Sequence, residues 1–188
     1  MRIISGSFKG KKILEPKDIK TRPLKDLTKE SIFNIIIHSK KLKINLENSV
    51  ILDLFSGVGS FGIECLSRNV KKVIFVENYN GVLPILKKNL ENLNLNEKFS
   101  ILEYDIYQDH VFSKLESKFD IIFLDPPYKV KNLDKLLIEI NNQKILDENG
   151  IVIIHRHKNE QEIIPKVFQI AEQKKYGISK ITFLTKLN

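Results

Sequence analysis

An α/β fold built on a mostly parallel sheet is what this chain predicts, and three observations carry the prediction. From residue 44 onward, short apolar runs alternate with longer amphipathic stretches; the first run leads into a glycine-rich turn, and three later runs end in an acid. Strands of a parallel sheet are covered on both faces by helices, so they read as near-continuous β-branched or aromatic runs. The elements follow in order. Residues 2–16, RIISGSFKGKKILEP, read as a short β-hairpin, and Asp26 or Thr28 is placed to cap a helix running to about Ser39. Strands are expected at 49–55, 72–77, 99–105, 119–125 and 150–155, with helices at 82–95 and 132–143. Residues 167–186 instead read as two strands joined by a turn near Gly177, an antiparallel pair at the sheet edge.

A chain of 188 residues with 42% hydrophobic content supplies one substantial core and little more. The expected organisation is a main domain, residues 46–188, preceded by a small extension, residues 1–45. The longest apolar runs, such as Ile121–Leu124, fall far below the ~20 residues that cross a bilayer. The first residues, MRIISGSFKGKK, lack the apolar block of a signal peptide, and the single Cys65 suits a reducing compartment. A cytoplasmic protein is expected, without a metal centre, since only His155 and His157 lie close together among the four histidines. A helical coat with no spare apolar face points to a monomer.

Net charge is +8, and its distribution says more than its size. Residues 1–43 hold twelve Lys or Arg against four Asp or Glu, whereas residues 44–188 hold nineteen of each. A neutral body with a basic N-terminal extension implies a polyanion met at one place.

The turn DLFSGVGSFG contains Gly57, Gly59 and Gly62 at a dinucleotide-like spacing, which alone fits a nicotinamide cofactor as well as any other. Asp53 discriminates. A pyrophosphate would be repelled by a carboxylate beside the turn, whereas S-adenosylmethionine brings a cationic sulfonium and ammonium. Glu77, about twenty residues on, is placed to accept from ribose hydroxyls, and Asp105 from an adenine amine with the Ile106 amide facing a ring nitrogen. Phe55 and Asn78 complete the expected cofactor contacts.

The fourth strand delivers Asp125-Pro126-Pro127-Tyr128 to the same edge. Two prolines fix two φ angles and remove two donors, so this corner holds one shape. The Asp125 carboxylate and the Pro126 carbonyl are suited to accept from an exocyclic amine and to stabilise positive charge developing on its nitrogen. Tyr128 offers a face for the base to stack on. Such a base must be unpaired or flipped out of a helix.

At this point the chain resembles the bacterial RsmD family, Rossmann-like class I S-adenosylmethionine-dependent methyltransferases that modify N2 of a guanine in 16S ribosomal RNA. The likeness rests on RIISGSFKGKKI, TRPLKDLTKESIFNII, LDLFSGVGSFGIECLSR, FVEN, FLDPPY and YGISKITFL, and covers nearly the whole chain. It implies a mostly parallel seven-stranded sheet with an antiparallel C-terminal strand, a small-subunit substrate, and Asp125 through Tyr128 as the catalytic turn. Lys9, Lys11, Lys12 and Arg22 are the expected phosphate contacts. Where the family carries Thr or Ser and then a basic residue, this chain has Leu24 and Leu27, with Lys25 and Lys29 as substitutes. Where the family tends to carry an acid after the fifth strand, this chain has His155, which receives no catalytic assignment. The Asp-Pro-Pro-Tyr turn by itself fits adenine, cytosine or guanine. The competing classes are a DNA adenine or cytosine amino-methyltransferase, a nicotinamide-dependent oxidoreductase using the glycine turn at 57–62, and a non-catalytic RNA-binding assembly factor.

Overall fold

The computed structural model describes residues 1–16, 24–108, 111–115, 117–127 and 130–187. Arg22 and Tyr128 lie outside the described residues.

Seven strands form one sheet in the order β3-β2-β1-β4-β5-β7-β6. They are β1 Val50–Leu54, β2 Lys72–Val76, β3 Phe99–Leu102, β4 Phe119–Leu124, β5 Leu146–His157, β6 Phe168–Tyr176 and β7 Ser179–Lys186. The first five run parallel, and β7 lies antiparallel between β5 and β6. Strand order reverses between β1 and β4, and Leu54 pairs with Leu124, so these two strand ends open side by side. Open α/β sheets bind ligands at such a switch point, beyond the carboxyl ends of the strands.

The strand alternation divides the core in two. Ile51, Phe75, Phe123, Ile153 and Phe183 face one layer, together with α1 (Asp26–His38), α2 (Ser60–Ser67) and α3 (Leu83–Glu91). Leu52, Val76, Ile122, Leu124 and Ile154 face the other, beneath α4 (Leu133–Asn142). A stack of Phe33, Phe61 and Phe123, with ring centroids 5.4 and 4.0 Å apart, joins α1 and α2 to β4. Burying each such side chain contributes roughly 1.5–3 kcal/mol. Ile3, Ile13 and Leu24 of the N-terminal segment belong to this same buried cluster.

Several boundaries differ from expectation for identifiable reasons. The hairpin at 2–16 reduces to one antiparallel bridge, Arg2 with Lys12. Several of its amides bond to α2 instead: Ile4 and Ser5 donate to the Glu64 carboxylate at 2.8 and 3.0 Å, and Ser7 donates to the Ser67 carbonyl at 2.7 Å. Gly6 permits this approach, since its φ is +83° and a Cβ there would overlap the Ser67 carbonyl. Neither Asp26 nor Thr28 caps α1; the chain enters through Lys25, Asp26 pairs with Arg2 at 3.4 Å, and Thr28 is buried. Strand β3 stops at Leu102, which leaves Asp105 in the following loop. No helix among the described residues is long and apolar enough to cross a membrane.

Candidate active site at the carboxyl edge of the sheet

Past β1 the backbone takes positive φ at Phe55 (57°), Gly57 (56°) and Gly59 (84°) before α2 begins. Phenylalanine rarely adopts that conformation, so the surrounding structure must hold it there. Ser56 N–H bonds to the Val76 carbonyl at 3.1 Å, tying the turn to β2. Glu77, directly after β2, accepts the Gly57 amide at 2.8 Å through Oε2 and the Asn78 and Tyr79 amides at 2.9 and 2.8 Å through Oε1. A carboxylate oxygen accepts more than one hydrogen bond, so Glu77 fixes the turn and keeps acceptor capacity for a ribose hydroxyl.

Asp53 lies inside β1, is buried, and accepts the Gly62 amide at 3.0 Å. A Cβ at Gly62 would collide with the Phe75 ring and the Asp53 carboxylate, so the third glycine is what lets α2 sit this close. Burial pushes the Asp53 carboxyl well above the usual range; the Gly62 amide opposes the shift, and the charges of Asp125 and Glu77 add to it. A ligand bringing positive charge relieves that crowding, and the donor set therefore fits a sulfonium and ammonium better than a pyrophosphate.

Phe55, Glu77, Asn78, Asp105 and Ile106, five of the expected cofactor residues, line one cavity of about 130 Å³, with Pro127 on its wall. That volume is below the ~300 Å³ lower bound for a complete ligand site, and suits one end of an extended molecule. Asp105 is oriented by the Tyr107 amide at 2.8 Å and by Asn78 Nδ2 at 3.1 Å. The sequence reading missed Tyr104 and Tyr107, which also line the cavity and flank the acid it did single out. Burial drives the Tyr107 hydroxyl up to about 12, with Arg156 opposing and Asp105 and Asp134 adding.

Asp125 follows β4 directly, its amide 3.4 Å from the Leu54 carbonyl, which sets the Asp-Pro-Pro corner against the start of the glycine turn. Strand β5 extends beyond the last β4 pair, Leu124 with Ile154, and continues along β7 as far as His157. From that overhang His155 Nδ1 meets Asp125 Oδ1 at 2.9 Å, and its Nε2 meets Ser179 Oγ at 2.9 Å. The next residue, Arg156, is buried and donates to the carbonyls of Pro127 at 3.1 Å and Val130 at 3.0 Å, with a longer contact of 3.5 Å to Pro126. Glu162 lies 3.7 Å from Arg156 and 2.7 Å from Lys180. Neither His155 nor Arg156 was assigned a role from sequence; the available signals were their position immediately after an apolar run and, for His155, its standing where the family tends to carry an acid.

The expected phosphate contacts are less gathered. Lys9, Lys11, Lys12 and Lys25 are exposed. The loop that carries Lys9 and Lys11 packs on Ser67, at the far end of α2 from the glycine turn, and Lys11 Nζ reaches the Asn92 carbonyl at the end of α3. Lys29 is not a substitute phosphate contact. It is fully buried, donates to the Arg2 carbonyl at 2.8 Å and pairs with Glu64 at 3.4 Å. Burial lowers its pKa, with Glu64 and Asp26 opposing. Leu24 packs into the core and Leu27 is exposed.

Sheet order and glycine turn give the Rossmann-like fold of its structural neighbours, and relatives at 30–35% identity named as ribosomal RNA methyltransferases place the molecule among class I methyltransferases. The family model described as conserved hypothetical protein 95 matches residues 1–185, and the chain belongs to that family, the RsmD family. It is 35% identical to YlbH of Bacillus subtilis, with 99% of each chain covered. It is 30% identical to ribosomal RNA small subunit methyltransferase D of Haemophilus influenzae, covering 95% of this chain and 90% of that one. The solved structure of Haemophilus influenzae HI0767 superposes with a TM-score of 0.78 at 28% identity, over 100% of this chain and 98% of the other.

Proposed function

We propose that this protein transfers a methyl group from S-adenosylmethionine to the exocyclic N2 amine of a guanine in 16S ribosomal RNA of the small subunit. The observation that carries the reading is the geometry at the carboxyl edge of the sheet: Glu77 and the buried Asp53 hold the glycine turn through its amides, and Asp125, its amide 3.4 Å from the Leu54 carbonyl, sets the proline-fixed corner beside that turn. Membership of a family whose Haemophilus relative is named for the small-subunit RNA narrows the substrate. S-adenosylmethionine supplies an electrophilic methyl on a sulfonium. Glu77, Asn78, Asp105 and Ile106 bind its nucleoside end, and Phe55, Gly57 and Gly59 with Asp53 shape and charge the turn beside the methionine end. Asp125 and the Pro126 carbonyl accept from the two amine hydrogens, direct the nitrogen lone pair outward and stabilise its growing positive charge. Pro127 keeps the corner rigid, and Tyr128 stacks on the base. Holding amine and methyl donor in line supplies much of the remaining rate.

Residues 1–45 serve as the RNA-binding extension of the 46–188 methyltransferase domain, with Lys9, Lys11, Lys12, Arg22 and Lys25 on phosphates. The protein acts as a cytoplasmic monomer. Incubation with tritiated S-adenosylmethionine and hypomethylated small subunits is expected to label a single guanine at N2. Label on adenine, label on DNA alone, or none would overturn the assignment.

A further inference from the structure

We propose that His155 is a positioning residue for methyl transfer: its ring holds the Asp125 carboxylate in one orientation, and only the neutral ring leaves that carboxylate its full charge for the substrate amine. The proposal rests on the reaction proposed above.

The ring is anchored at both nitrogens, 2.9 Å from Asp125 Oδ1 and 2.9 Å from Ser179 Oγ, and its side chain is 12% exposed. In the neutral form Nδ1–H donates to Asp125 and Nε2 accepts from the Ser179 hydroxyl. In the protonated form Nε2–H donates to Ser179, whose hydroxyl turns to accept. Both forms are satisfied without moving a heavy atom, so the ring titrates in place. The Nδ1 bond engages Oδ1 and leaves Oδ2 for the amine. An imidazolium there forms an ion pair with Asp125 and weakens it as an acceptor for a cationic transition state.

The groups facing the ring are few among the described residues. Asp125 comes from the end of β4, the Ser179 hydroxyl from β7 and the Arg156 guanidinium from β5 itself; Lys180 of β7 pairs with Glu162 instead. Burial alone would lower the His155 pKa, but the charge and hydrogen bond of Asp125 outweigh it and leave a net rise, with Arg156 opposing. Activity is therefore expected to climb with pH through a midpoint above that of an ordinary histidine.

The test compares single-turnover methyl transfer across pH, at saturating S-adenosylmethionine and small subunits, with NMR titration of the His155 ring. For the wild type, the rate is expected to fall about tenfold per pH unit below a midpoint that matches the NMR value. His155→Asn, whose amide replaces the Nδ1–H donor without titrating, should lose that limb. Asp125→Asn should lower the NMR midpoint. A limb that persists in His155→Asn, a midpoint unmoved by Asp125→Asn, or wild-type kinetic and NMR midpoints half a unit or more apart would overturn the proposal. The wild-type comparison needs no variant to fold. A wild type that transfers no methyl overturns the reaction itself, and the NMR arm then decides separately whether His155 and Asp125 are coupled.

Discussion

The two ends of helix α2 show contrasting uses of charge. At the Gly59 end the charges are acids held in place by backbone: Glu77 by three amides, Asp53 by the Gly62 amide. At the Ser67 end they are exposed lysines on a loop whose backbone, not whose side chains, is bonded to the helix. Between the ends sits Glu64, fully buried, which receives Lys29, Arg68 and the amides of Ile4 and Ser5. The difference teaches that the acids at one end are oriented by backbone amides, whereas the lysines at the other are carried on an anchored loop with their side chains exposed.

The largest effect expected from breaking this arrangement is that of Glu64→Ala. It strands a buried ammonium and two amides, and urea unfolding should register a loss of about 3–5 kcal/mol. At the acidic end, Asp125→Ala should lower kcat by roughly 10²–10³ while leaving cofactor affinity, read by calorimetry, largely unchanged. Simultaneous Lys9→Ala, Lys11→Ala and Lys12→Ala should act at the other end alone. RNA affinity would fall, and the slope of log affinity against log salt would become shallower by about 2, with kcat at saturating RNA preserved. The mildest change is of opposite sign. The Asp53 carboxyl is raised in the folded chain, so its contribution to stability is full below the ordinary carboxyl range and is lost as pH climbs through the folded value. Asp53→Asn should therefore raise the cofactor-free unfolding midpoint at neutral pH and flatten its dependence on pH, while weakening S-adenosylmethionine binding.

What could be read from sequence follows the same division. The five parallel strands were legible because burial on both faces demands uninterrupted apolar runs, and Glu77 and Asp125 were legible because strand ends fix where the next residue points. The relative places of β6 and β7 were not assigned. Yet FQIAEQKKY is polar and largely exposed, as an edge strand should be, and SKITFLTK is mostly buried. Lys29 was misread since its partner Glu64 lies 35 positions along the chain, and nothing local distinguishes a buried lysine from a solvated one. His155 and Arg156 escaped for a related reason. Their roles come from the overhang of β5 past β4, a property of register between strands rather than of either strand alone.

One feature of the packing reaches further than stability. Because Ile3 and Ile13 are sunk in the same apolar layer as β1 and β4, the loop that carries Lys9, Lys11 and Lys12 is held in place on the body. The eight residues of α2 put about 12 Å between that loop and the glycine turn. Under the function proposed above the molecule works as a caliper with fixed jaws, and an oligonucleotide too short to bridge them is expected to engage the corner without ever touching the arm.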